Sequence, residues 1–119
     1  MSDSKKTIIV VDDEPDIEFA LTLMLEDAGY HVVAVSQGDD LIKRLRTERA
    51  PDLILLDMLL AGHDGREIVR GLKADPSTRS IPVLMMSAHP RAAQEAADVG
   101  ADGFLAKPFD LDTLERVMN

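Results

Sequence analysis

Five short apolar runs, largely β-branched, punctuate the chain at Thr7–Val11, His31–Ser36, Leu53–Leu56, Val83–Met86 and Phe104–Ala106, and each is followed by a segment of helical character. Strands that are apolar along their whole length are buried on both faces, and their alternation with helices predicts a parallel sheet covered on both sides. After the first run, Ile17, Ala20, Leu21, Met24, Leu25 and Ala28 recur at helical spacing, with Pro15 at the first helical position and Gly29 at the stop. Leu41, Ile42 and Leu45 mark a second helix after Gly38-Asp39. Ile68, Val69 and Leu72 mark a third, which Asp75-Pro76 ends. An alanine-rich, short fourth helix lies within Arg91–Val99, and a fifth begins near Asp110 with Leu111, Leu114, Val117 and Met118 on one side.

There is no internal repeat, low-complexity tract or linker, and 119 residues is the length of one ordinary domain, so residues 1–119 read as a single unit. A 45% hydrophobic content supports a packed interior, to which aromatics contribute little. The 22 acidic and 13 basic side chains give a formal charge of −9. That charge opposes sequence-independent attraction to DNA or to an anionic membrane, so neither is expected as a direct partner. Cysteine is absent, which excludes disulfides and thiol chemistry. The apolar run at Ile8 to Val11 is too short for a signal-peptide core or a membrane span, and a cytoplasmic location is expected.

In an open parallel sheet, ligands bind beyond the carboxyl ends of the strands. Asp12 and Asp13 follow the first run, Asp57 ends the third, Ser87 follows the fourth and Lys107 the fifth. Three carboxylates, a hydroxyl and an ammonium at one sheet edge suit phosphoryl chemistry with a hard divalent cation. Taken alone, Asp12 and Asp13 read as caps for the helix at Pro15, Asp57 as a loop residue and Lys107 as a solvated charge. Their convergence on successive strand ends favours the site. Neither GxGxxG nor GxxxxGK[ST] is present, which leaves dinucleotide binding and P-loop hydrolysis without support.

The segments Val10-Val11-Asp12-Asp13-Glu14-Pro15, Leu55-Leu56-Asp57-Met58 through Asp64-Gly65, Met86-Ser87-Ala88 and Gly100 through Phe109 together resemble the receiver domains of bacterial response regulators. The likeness runs over essentially the whole chain. It implies a five-stranded parallel sheet in the flavodoxin-like order 2-1-3-4-5, with helices on both faces. It also implies a two-component signalling switch that catalyses only its own phosphorylation and dephosphorylation. Asp57 would accept a phosphoryl group from a histidine kinase, a phosphotransfer partner or a small acyl phosphate. Asp12, Asp13, Asp57 and the backbone carbonyl of Leu59 would hold Mg2+. Lys107 would pair with a phosphate oxygen, and Ser87 and Phe104 would switch a surface that binds a downstream protein. The Lys107–Pro108 bond would be cis.

The chain departs from the family pattern at Ala61, where proline is frequent, and at Phe104, where tyrosine is commoner; the span from Ser87 to Lys107 is slightly short. Phe19 falls opposite the Ile17/Leu21/Met24 stripe, either as a docking contact for a kinase helix pair or resting against the fifth helix. His31, His63 and His89 have no ligand spacing and read as solvated; Met24, Met58, Met85 and Met86 read as packing residues. Competing readings are a magnesium phosphohydrolase with an aspartyl-phosphate intermediate, a receiver-like module that is never phosphorylated, and a flavodoxin-like cofactor carrier. The last is disfavoured by the scarcity of aromatics.

Overall fold

Ile8, Ile9, Val10 and Val11 are each at most 5% exposed, a pattern that only a strand covered on both faces produces. They form β1 (Thr7–Val11) in a computed structural model that describes residues 5–60, 63–89 and 91–118, residue 63 by its backbone alone. The remaining main strands are β2 (His31–Val35), β3 (Leu53–Asp57), β4 (Val83–Ser87) and β5 (Gly103–Ala106). They alternate with helices α1 (Pro15–Asp27), α2 (Gly38–Thr47), α3 (Gly65–Ala74), α4 (Ala92–Asp98) and α5 (Leu111–Met118). These five strands pair in parallel throughout, in the order 2-1-3-4-5. The parallel sheet expected from the alternating runs is therefore observed, in the strand order that the family resemblance implied.

Because side chains alternate across a strand, the sheet divides its apolar residues between two cores. Ile8, Val10, Leu53, Leu55 and Leu84 pack with Leu21 and Leu25 of α1 and Leu114 of α5. Ile9, Val11, Ile54, Leu56 and Val83 pack with Leu41 of α2, Val69 and Leu72 of α3, and Ala92 and Ala96 of α4. Met58, Met85 and Met86 are buried in these cores, as their packing role required.

Element ends follow local chemistry. Pro15 opens α1, with Asp16 and Glu18 in a first turn that favours acidic side chains, and Gly29 closes it at a φ of 100°. Asp64 caps α3 by accepting from the Arg66 N–H, and the Asp110 carboxylate accepts from Thr113 N–H at the start of α5. Two strands run one residue further than their apolar runs: β3 ends on Asp57 and β4 on Ser87, so both are strand residues rather than the start of loops. One feature was not anticipated. Leu59–Leu60 pairs antiparallel with His63–Asp64 beyond the sheet edge, where polarity alternates too briefly to signal a strand. Ala61 lies outside the described residues.

Candidate functional site

Strand register assembles the site. Val11 is level with Leu56, which brings Asp12, the next residue, beside Asp57. Asp57 is level with Met86, and Ser87 is level with Ala106, so Lys107 follows directly. Four residues separated by up to 95 positions therefore meet at the carboxyl edge. Asp12 is 1% exposed, Asp57 6% and Ser87 6%.

The Lys107 ammonium lies 2.9 Å from Asp12 Oδ2 and 3.3 Å from Asp57 Oδ1. Asp12 Oδ1 accepts from the Glu14 N–H at 2.9 Å and so orders the approach to α1, but it does not cap the helix: Glu14 holds the N-cap position, and its own side chain makes no capping hydrogen bond. Burial pushes the Asp57 carboxyl above its ordinary value, Lys107 opposes this and the Asp12 charge adds to it. For Lys107, burial disfavours the charged form, but the hydrogen bond to Asp12 and the charges of Asp57 and Asp12 outweigh it, and the ammonium is held above its ordinary value.

One oxygen from each of Asp12, Asp13 and Asp57 falls within 4.8 Å of the others. The three carboxylates gather beside the Lys107 ammonium, which pairs with two of them. An all-oxygen set of this kind matches magnesium or calcium and not the softer metals. The residues present therefore fit a hard divalent ion.

Asp57, Ser87 and Lys107 form the polar end of a cleft of about 910 Å³ whose apolar arm is lined by Ile17, Ala20, Leu21, Met24, Pro108 and Phe109. The Lys107–Pro108 bond is cis. The Ser87 hydroxyl accepts from the His89 N–H at 3.0 Å. His89 is an exposed residue on the cleft wall whose Nδ1 accepts from the Arg91 N–H. Phe104 is half-buried against the core on the α2–α4 side. Leu59 is 69% exposed at the cleft mouth. Phe19 is 65% exposed, which excludes the alternative in which it is covered by α5; Leu23, one helical turn on, is exposed beside it. His31 is exposed, and the His63 side chain lies outside the described residues.

Comparison with known proteins is consistent across sequence and structure. Residues 8–119 match the family described as response regulator receiver domain. The phosphate regulon transcriptional regulatory protein PhoB of Pseudomonas aeruginosa is 39% identical over 106 residues, which cover 87% of this chain and 46% of that protein. The chain thus spans about half the length of that relative. Chemotaxis response regulator CheY4 of Vibrio cholerae superposes with a TM-score of 0.86 at 30% identity, covering 96% of this chain and 99% of the other. The receiver domain of a sensor histidine kinase from Pseudomonas aeruginosa PAO1, which has a magnesium ion coordinated in its active site cleft, superposes with a TM-score of 0.87 at 27% identity and covers 97% and 95% of the two chains.

Proposed function

The chain belongs to the response-regulator receiver domain family of two-component signalling, and from that premise we propose that it is a switch set by transfer of a phosphoryl group to the Asp57 carboxylate. The observation that carries this reading is the position of Asp57, the last residue of β3, buried beside Lys107 and two further aspartates at the floor of an open cleft.

In the proposed reaction an Asp57 carboxylate oxygen attacks phosphorus. The P–N bond of a phosphohistidine, or the P–O bond of an acyl phosphate, breaks as the acyl phosphate on Asp57 forms, and the leaving imidazole or carboxylate takes the electron pair. Asp12, Asp13, Asp57 and the Leu59 carbonyl would hold Mg2+, which supplies charge neutralisation for the phosphoryl oxygens. Lys107, freed from part of its pairing with Asp57 as that carboxylate loses charge, turns to a phosphoryl oxygen. Ser87 donates its hydroxyl proton in a hydrogen bond to another, and Phe104 follows it inward.

The donor in this reading is a histidine kinase or phosphotransfer protein, docked along the apolar arm of the cleft and the exposed Phe19 and Leu23 of α1. The output is altered affinity for a downstream protein, without direct contact to nucleic acid or membrane. Residues 1–119 act as one receiver domain, and its setting is the cytoplasm. Among the described residues no helix is long and apolar enough to cross a membrane.

Intact mass after treatment with acetyl phosphate tests the assignment. One phosphoryl addition is expected, present only with magnesium and absent in Asp57→Asn. Full labelling of Asp57→Asn, or labelling under chelation, overturns it. Steady turnover of ordinary phosphate esters would point instead to a phosphohydrolase.

A further inference from the structure

A Cβ on Gly65 would fall 2.5 Å from the Asp57 carbonyl oxygen and 2.8 Å from that of Met58. Only glycine fits there, and its N–H donates to the Met58 carbonyl at 2.8 Å. The first residue of α3 is therefore seated directly on the backbone of the phosphoacceptor. Asp64, the capping residue before it, grips the guanidinium of Arg66: Nε lies 3.0 Å from Oδ1 and 3.1 Å from Oδ2, and Nη2 lies 2.7 Å from Oδ2. The remaining arm, Nη1, reaches across to the carboxylate of Glu95 on α4.

From this chain of contacts we infer that Arg66 is a positioning residue that ties α4 to the acceptor loop in the unphosphorylated protein, so that the state of Asp57 and the placement of α4 are coupled through Asp64, Arg66 and Glu95. The inference rests on the phosphoacceptor reading above and adds a route to α4 separate from Ser87 and Phe104.

Two features give one ion pair leverage. Helix α4 has seven residues, and the side chains it buries are those of Ala92 and Ala96. Burial energy scales with apolar area, so alanines anchor a helix weakly, and even a modest charged contact biases where it sits. The Arg66 fork is already fixed by Asp64, so pairing with Glu95 demands little further loss of side-chain freedom. The Arg66 and Glu95 side chains are 36% and 40% exposed, and the contact is accordingly open to screening by salt. A ligand at Asp57 that displaces α4 works against the tie, and by reciprocity releasing the tie favours the ligand.

Beryllofluoride with magnesium serves as the probe, standing in for the phosphoryl group. Glu95→Gln keeps the side-chain length and removes the charge. At low salt it is expected to bind beryllofluoride about two- to fivefold more tightly than the wild type, an advantage that fades at high sodium chloride. Its unliganded α4 amide resonances should lie part way toward those of the wild-type complex. Arg66→Gln should reproduce the gain, and the double variant should add nothing to either. Unchanged affinity in Glu95→Gln, a weaker one, or additive effects in the double variant overturns the coupling, and so does a lowered melting temperature with unchanged affinity, which marks a merely structural contact. A wild type that binds no beryllofluoride overturns the phosphoacceptor reading and the coupling together; a wild type that binds it beside an unaltered Glu95→Gln overturns the coupling alone.

Discussion

The Lys107 ammonium sits 2.9 Å from the carboxylate of Asp12, joining the loop after β5 to the end of β1 although β3 and β4 lie between those strands. Lys107→Met leaves Asp12 and Asp57 buried without a cation, and loss of one partner from a buried ion pair costs about 3–5 kcal/mol. The folded Lys107 pKa is raised above its ordinary 10.5. Its contribution is therefore complete below that value and fades only as pH rises through the folded one. At pH 7 the whole loss should appear in urea unfolding of the metal-free protein, and magnesium should restore part of it.

Asp57 has the opposite sign. Its folded pKa is raised above the ordinary 3.8, chiefly by burial, so the native state holds its proton more firmly than the unfolded chain does. The metal-free fold then loses stability as pH climbs from 3.8 through the folded value, and the penalty is constant beyond. Asp57→Asn removes the penalty: its melting temperature without metal should match the wild type in strong acid and exceed it at neutral pH. Magnesium should stabilise the wild type by about 2.7 kcal/mol at a hundredfold excess over Kd, and stabilise Asp57→Asn and Asp13→Asn much less. Melts in sodium chloride of equal ionic strength isolate the specific effect.

Ser87→Ala should still accept a phosphoryl group but transmit it poorly. The Ser87 hydroxyl also takes the His89 N–H that leads into α4, so its removal costs roughly 1 kcal/mol of stability. Amide shifts over α4, β5 and α5 on adding beryllofluoride should shrink while Asp57 still labels. Shifts as large as those of the wild type would count against a Ser87 switch.

At Gly65 the clash of an added methyl is with main-chain oxygens of Asp57 and Met58, which cannot swing aside as a side chain can. Gly65→Ala should destabilise by about 1–3 kcal/mol and, by shifting the acceptor itself, slow labelling by acetyl phosphate more than its altered melting temperature accounts for. Comparing rates well below both melting points separates the two effects.

The parallel sheet and the four strand-end residues were legible because each is written in a local signal, an apolar run followed directly by a polar residue, whereas the strand order came only with the family resemblance. Asp57 closes its strand as expected, and Ser87 proved to close its strand rather than follow it, since backbone pairing extends past the point where side-chain polarity changes. Arg66 carried no such signal. Its partners lie two and 29 positions away, and the longer reach depends on how α3 and α4 are set against each other on the sheet. Phe19 was ambiguous for a related reason: helical arithmetic gives the side of α1 on which it lies, but only packing shows whether another element covers that side.

Strand β3, which ends on Asp57, is bonded to β1 on one side and to β4 on the other, and its residues through Leu56 fill both cores. Its amides should exchange with solvent only when the whole molecule opens, whereas α4 and α5, at the rim, can open locally. The chemical event is thus struck on the stiffest part of the molecule, an anvil that does not yield, and the response is left to the edges that can move.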